Sequence, residues 1–301
     1  SERSVKFFIA GLFRLLNLVP DRWAVRLANV VGGLLVRFNT DMARVSRINI
    51  AHCFPELNQA SQDDRVRASL SHATLLLFEF AYFQHRPIDQ LLEKISAVEG
   101  EQRLQRAWQD GNGVILLMPH FGCWEFLSIY LGRAYPISAL YDPPNMLALE
   151  ESIVNTRQRQ GANMYPTNAS GLLGLMRGLK SGDVVVVLPD QVPAANGGGV
   201  VAPFFGQDAL TMLLGKRLMN VGRPAVLMAA AWRELNADGI RYRLSFDEPA
   251  EGLSSEQEDI HAAALNTGIE KIVRRDPAQY QWSYKRFRRL GENRPDLYRR
   301  Q

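Results

Sequence analysis

The run Val114-Ile115-Leu116-Leu117-Met118 constrains the fold more than any other part of the chain. Gly111-Asn112-Gly113 closes it in front and Pro119 behind. An apolar segment this short, with no polar residue on either alternate face, reads as a strand buried on both sides. Such strands belong to parallel sheets covered by helices. Similar runs follow at Ile137–Tyr141, Val184–Leu188, Ala225–Ala231 and, with partial alternation, Ile240–Phe246. Helical spacing marks Phe126–Leu131, Met146–Gln160 and Leu172–Leu179 between them. Strands interleaved with helices predict an α/β fold, a mostly parallel central sheet covered by helices, with a helical amino-terminal region.

The 301 residues, 47% of them hydrophobic, can bury one large core. The expected organisation is a membrane-associating amphipathic segment over residues 1–40 and a single α/β domain over 41–301. In that domain 41–109 is helical and 110–301 contains the sheet. Asp41–Cys53 and Asp63–Phe83 carry apolar positions at helical spacing, with Pro55 and Pro87 as breakers. Val5–Leu18 and Trp23–Val36 are apolar but interrupted by Lys6, Arg14 and Arg26, so neither reaches the roughly 18 uncharged residues of a spanning helix. A segment of this kind can lie in a membrane interface with its basic stems reaching phosphate headgroups, or pack as a helical hairpin on the core. The chain starts at Ser1 rather than Met, which leaves room for a preceding anchor.

There are 35 basic against 31 acidic residues, and arginine predominates among the bases. Its planar fork suits phosphate or carboxylate. The two cysteines, Cys53 and Cys123, imply neither a disulfide framework nor a metal site. Neither a G-x-x-x-x-G-K-[ST] loop nor a strand followed by G-x-G-x-x-G is present, which disfavours nucleotide and nucleic-acid roles.

Chemistry gathers at the strand ends. Pro119 is followed by His120-Phe121-Gly122-Cys123-Trp124-Glu125. A histidine can act as general base on a hydroxyl, and a carboxylate on its other ring nitrogen fixes the tautomer. His120 and Glu125 are therefore the expected catalytic pair, with Gly122 relieving crowding in the turn. The N–H groups that follow are candidates for stabilising an oxyanion. Asp190 follows Val184–Leu188 as His120 follows its own strand, so both should face one edge of the sheet. Arg157 shares an inward helical stripe with Met146, Leu149 and Ile153, and a buried arginine needs an anion. Cys123 could pair with His120 as a nucleophile, but a small residue in an apolar turn more often holds an inert thiol. His52, His72 and His85 lack carboxylate or cysteine partners at a recognisable spacing, so core or surface packing is expected of them. Gly197-Gly198-Gly199 reads as a mobile loop, and Ala202–Gly206 as an aromatic turn.

His120-Phe-Gly-Cys-Trp-Glu125, Pro189-Asp-Gln191, Pro203-Phe-Phe-Gly206 and Pro277-Ala-Gln-Tyr-Gln-Trp282 with Lys285-Arg-Phe287 occur in this order. Together they resemble the lysophospholipid acyltransferase superfamily, and within it the late acyltransferases of lipid A biosynthesis, over nearly the whole chain. Glu125 in place of the superfamily's usual aspartate fits the lipid A branch, and Cys123 stands where asparagine is frequent. The resemblance implies acyl transfer from acyl carrier protein to a hydroxyl of a phosphorylated lipid A precursor, at the cytoplasmic face of the inner membrane. It implies no cofactor, no metal and no acyl-enzyme, with Arg157, Asp190, Gly122, Phe205 and Gly206 beside the substrates. An acyltransferase for a glycerolipid or aminolipid, a thioesterase and a lipid-binding protein are the alternatives. The amino-terminal segment and the tail bearing Lys285, Arg286, Arg288 and Arg289 are expected to favour an anionic membrane surface.

Overall fold

The computed structural model describes residues 2–141, 156–157, 161–194, 197–291 and 294–299. Helices α1 (Glu2–Asn17), α2 (Asp21–Arg37), α3 (Asp41–Cys53), α4 (Gln59–His85) and the short α5 (Ile88–Leu92) come first. Polar caps start two of them: Thr40 accepts from the Ala43 N–H at 3.3 Å, and Asn58 from that of Ser61 at 2.9 Å. Then come β1 (Ile95–Glu99), α6 (Glu101–Gln109), β2 (Val114–Leu117), α7 (Trp124–Leu131), β3 (Ile137–Tyr141), β4 (Ala162–Pro166), α8 (Ala169–Lys180) and β5 (Val184–Val187). The chain continues through β6 (Gly199–Phe204), β7 (Gln207–Met212), α9 (Leu214–Met219), β8 (Ala225–Asn236), β9 (Gly239–Asp247) and α10 (Glu258–Arg275).

Seven strands form one sheet in the order β1-β9-β8-β2-β5-β3-β4. Neighbours are parallel except for the antiparallel pair β8–β9, so the α/β fold with a mostly parallel sheet is as expected. Strand β2 lies at the centre. Its Val114 and Leu116 enter one hydrophobic core and its Ile115 and Leu117 the other, which is why the run carries no polar face.

Three pieces differ from the sequence reading. Strand β1 lies inside the stretch read as helical; it is a short edge strand whose residues are partly exposed, so its apolar pattern is weak. Strand β4 is likewise an edge strand with only Ala162 buried. The aromatic turn belongs to a separate hairpin, β6–β7, which begins at Gly199 in the glycine run. Its two-residue turn has Phe205 at φ 51° and Gly206 at φ 73°. Both angles are positive, as a type I′ turn demands. Of the helix expected over Met146–Gln160, only Thr156 and Arg157 fall within the described residues, and both are helical.

The amino-terminal helices pack against the rest of the chain on one side and leave apolar side chains exposed on the other. Helix α2 packs on α4 through a stripe of small residues. Ala24 and Ala28 are fully buried, and a β-carbon at Gly32 would meet the Ser71 hydroxyl at 2.4 Å. The outer side exposes Phe7, Phe8, Leu12 and Leu15 of α1 and Trp23, Leu27, Val30 and Leu34 of α2. Large apolar side chains exposed singly are ordinary, but clusters of them on neighbouring turns mark candidate interaction surfaces. Among the described residues, no helix is long and apolar enough to cross a membrane.

Candidate active site

Strands β2 and β5 run side by side, with Leu117 opposite Val187. Both chains meet a proline two residues later, and His120 and Asp190 each follow their proline. Parallel register therefore sets the two side chains abreast at the carboxyl edge of the sheet, where open α/β sheets place ligands. The His120 Nδ1 lies 2.8 Å from Asp190 Oδ1, and the His120 backbone N–H donates to Asp190 Oδ2 at 3.0 Å. This contact makes Nδ1 the protonated nitrogen and leaves the Nε2 lone pair free to accept, with the Gln191 amide nitrogen 3.3 Å from it. Burial alone would raise the Asp190 carboxyl; the His120 ring and N–H contacts outweigh it and hold the carboxyl below its ordinary value. Asp190 is thus an anion fixed beneath the ring.

Glu125, in the first turn of α7, has a different partner. Arg157 donates from Nε to Glu125 Oε2 at 2.9 Å and from Nη2 to Oε1, a bidentate pair. Burial works against the Arg157 cation, and the Glu125 charge more than restores it, so the guanidinium is held firmly charged. The carboxylate on the imidazole of His120 is therefore Asp190 and not the expected Glu125, which serves the arginine. The reason is register: position 190 lies beside 120 in the sheet, whereas Glu125 has turned away onto a helix. Among the described residues no hydrogen bond joins His120 to Glu125.

His120, Glu125, Arg157 and Gln191 line one cavity of about 610 Å³, within the usual range of small-molecule sites. Beyond the polar group its wall is apolar, formed by Met118, Leu140, Met164, Leu175, Val187 and Leu214. Arg288 and Arg289 also line it, as does Tyr284. The arrangement offers a lone pair on Nε2, a fixed cation and an apolar slot within a single space.

The turn itself is clamped from below. The Gly122 N–H donates to the Gln279 carbonyl at 2.9 Å, the Cys123 N–H to Ala231 at 2.9 Å and the Phe121 N–H to Pro119 at 2.7 Å. These three of the N–H groups expected as oxyanion ligands are already engaged. Gly122 sits at φ 57°, and a β-carbon there would lie 2.0 Å from the Ala231 carbonyl oxygen, so only glycine fits. Gln279 also accepts from the Arg233 N–H at 2.8 Å and donates to the Arg233 carbonyl at 3.0 Å. Arg233 in turn forms a bidentate pair with Glu79, Nε to Oε1 at 2.8 Å and Nη2 to Oε2 at 2.6 Å. Tyr242 donates to the same carboxylate at 3.0 Å. None of Glu79, Arg233 or Gln279 emerges from the sequence reading, since no spacing links positions 79, 233 and 279. The only signal is the Pro277–Trp282 motif.

Other expectations fall into place around this centre. Cys123 is fully buried and burial pushes its thiol well up, so it is a bystander to nucleophilic chemistry. His72 is half-buried, 3.5 Å from Arg233 Nη1, and desolvation followed by that cation lowers it to about 3. His52 packs edge-on against Phe287. Phe205 and Gly206 do not line the cavity. Phe205 is 5% exposed, packs against Phe54 and Trp282, and receives the Arg274 guanidinium on its ring. Arg286 is also buried, donating to the Leu210 carbonyl at 2.6 Å, and has no surface to present to a bilayer.

Comparison with known proteins points to one family. The family described as bacterial lipid A biosynthesis acyltransferase matches residues 2–289. The chain is 28% identical over 293 residues to a lipid A biosynthesis palmitoleoyltransferase of Escherichia coli strain K12, covering 97% of this chain and 94% of that protein. The lauroyltransferase of the same strain is 24% identical over 288 residues, with 96% and 92% covered. Its myristoyltransferase is 23% identical over 293 residues, with 93% and 88% covered.

Proposed function

The chain belongs to the bacterial lipid A biosynthesis acyltransferase family, and from that premise we propose direct transfer of an acyl chain from acyl carrier protein to a hydroxyl of a phosphorylated lipid A precursor. The observation that carries the mechanism is the His120–Asp190 contact, which leaves Nε2 as the one basic atom of the ring facing the cavity. Nε2 takes the proton of the acceptor hydroxyl as its oxygen attacks the thioester carbon. The tetrahedral adduct collapses, the carbon–sulfur bond breaks, and the departing thiolate takes the proton back from the imidazolium. Asp190 holds the tautomer and offsets the imidazolium charge. A thioester is already activated, so no acyl-enzyme and no cofactor is needed.

Glu125 keeps its place in the machinery through Arg157. It fixes the guanidinium at the cavity wall, where the remaining N–H groups can meet the oxyanion in place of the occupied backbone donors. The apolar wall accepts the acyl chain. The exposed faces of α1 and α2 lie in the anionic cytoplasmic surface of the inner membrane and present the cavity to its lipid acceptor. Flotation with anionic liposomes that weakens as salt rises checks this last point, and flotation indifferent to deletion of residues 1–38 sinks it.

The decisive experiment uses the purified protein with acyl carrier protein thioester and a lipid A precursor, read by mass spectrometry. His120→Ala should lower transfer by about 10²–10⁴-fold. Acyl release at the same rate without the hydroxyl acceptor would make the protein a thioesterase instead.

A further inference from the structure

The cavity contains more positive charge than its chemistry uses. Among the described residues its ionisable lining comprises His120, Glu125, Arg157, Arg288 and Arg289, besides Tyr141 and Tyr284. Glu125 and Arg157 neutralise each other, His120 acts as a neutral base, and the Asp190 anion lies buried beneath the ring outside the cavity lining. Two guanidiniums remain. Arg288 donates to the Tyr284 hydroxyl at 3.2 Å and lies over that ring, so its only described partner is neutral. Arg289 has no hydrogen-bond or ion-pair partner among the described residues. Both are exposed and adjacent in sequence, and Arg289 adopts φ 61°, a left-handed backbone that arginine rarely takes.

Their position is held from inside the site. The Tyr284 hydroxyl accepts from the Val192 N–H at 3.0 Å, directly after Asp190-Gln191. The segment bearing the arginines is thereby tied to the loop that carries the partner of His120. Two adjacent forked donors that face a shared space, with no counter-charge among the described residues, fit a dianion. A phosphate monoester carries that charge near neutral pH, whereas the phosphodiester of a carrier-protein prosthetic group carries one.

We propose that Arg288 and Arg289 form the subsite for a phosphate monoester on the acceptor lipid. This holds the glycolipid headgroup at the cavity mouth while its hydroxyl reaches Nε2 of His120. The assignment rests on the acyl-transfer reading above and deepens it.

A kinetic cycle tests it. Native protein and the double variant Arg288→Gln/Arg289→Gln are each assayed with a phosphorylated acceptor and with the same acceptor stripped of its phosphate monoesters. Donor concentration is varied in a separate series. Removing the phosphate from the acceptor should lower kcat/KM of the native protein by roughly 10–100-fold, the range of charge-assisted hydrogen bonds. It should change that of the double variant by less than about threefold, because the coupling is then gone. An equal phosphate effect in both proteins overturns the subsite. A loss confined to the KM of the donor also overturns it, by moving the phosphate to the carrier-protein side. Native protein that acylates neither acceptor would instead overturn the acyl-transfer reading.

Discussion

Two bidentate arginine–glutamate pairs stand near the turn that bears His120, and their surroundings set them apart. In Glu79–Arg233 the side chains are 0% and 1% exposed. The carboxylate also accepts from Tyr242, and the arginine backbone is pinned by Gln279. In Glu125–Arg157 the exposures are 17% and 20%, and the pair faces the cavity. The sealed pair has one arrangement, since any other would strand a charge without water. The cavity pair can add a ligand to its hydrogen bonds at little desolvation cost. The same two side chains are thus a fastening in one place and a tool in the other. The fastening lies under the tool, because Gln279 binds both Arg233 and the Gly122 N–H.

The sharpest way to break this contrast is to remove one member of the sealed pair. Glu79→Ala leaves Arg233 buried and unmatched, which should cost about 3–5 kcal/mol of stability, read as the shift in the urea midpoint. The double variant Glu79→Leu/Arg233→Met should recover most of that loss, because replacing a buried pair with apolar groups of similar volume is often neutral. A Glu79→Ala protein as stable as the native one would show that the pair fastens nothing.

The cavity pair should answer in the other currency. Arg157→Lys loses the bidentate fork and one fixed donor, so turnover should fall by about 10²–10³-fold, equivalent to about 2.7–4 kcal/mol on the barrier. Thermal stability should move little, since partly exposed ion pairs contribute about 0–1 kcal/mol. A loss of stability as large as that of Glu79→Ala would erase the distinction.

These differences follow what a linear sequence can express. The central strand and the partner runs at 137, 184, 225 and 240 are legible because a buried parallel strand needs contiguous apolar residues. The edge strands Ile95–Glu99 and Ala162–Pro166 need no such run, and they carry little signal. At the site, His120 and Asp190 are legible as equivalent positions after two prolines, and Arg157 as an inward arginine wanting an anion. Which carboxylate serves which base is not legible. That choice depends on strand register and on the direction in which α7 leaves the turn, and both are three-dimensional facts. Glu79 and Arg233 are less legible still, being 154 positions apart and ordinary charged residues in their local patterns.

Asp190 tests the pairing at the smallest scale. It accepts from both the ring and the backbone N–H of His120, one on each oxygen. Asp190→Asn keeps a single acceptor and sets an amide donor against one of those N–H groups, which should cost about 1.5–3 kcal/mol at neutral pH. The sign with pH follows from the lowered carboxyl. Its ionised form stabilises the folded state above the unfolded carboxyl value of about 3.9, and this contribution is lost as pH falls through the lower folded value. The stability gap between native protein and Asp190→Asn should therefore close as pH falls below about 4. Urea midpoints measured across that range would show it. A gap that failed to close below about pH 4 would mean that Asp190 is not held as the anion beneath His120, and the assignment of Nε2 as the base would fall with it.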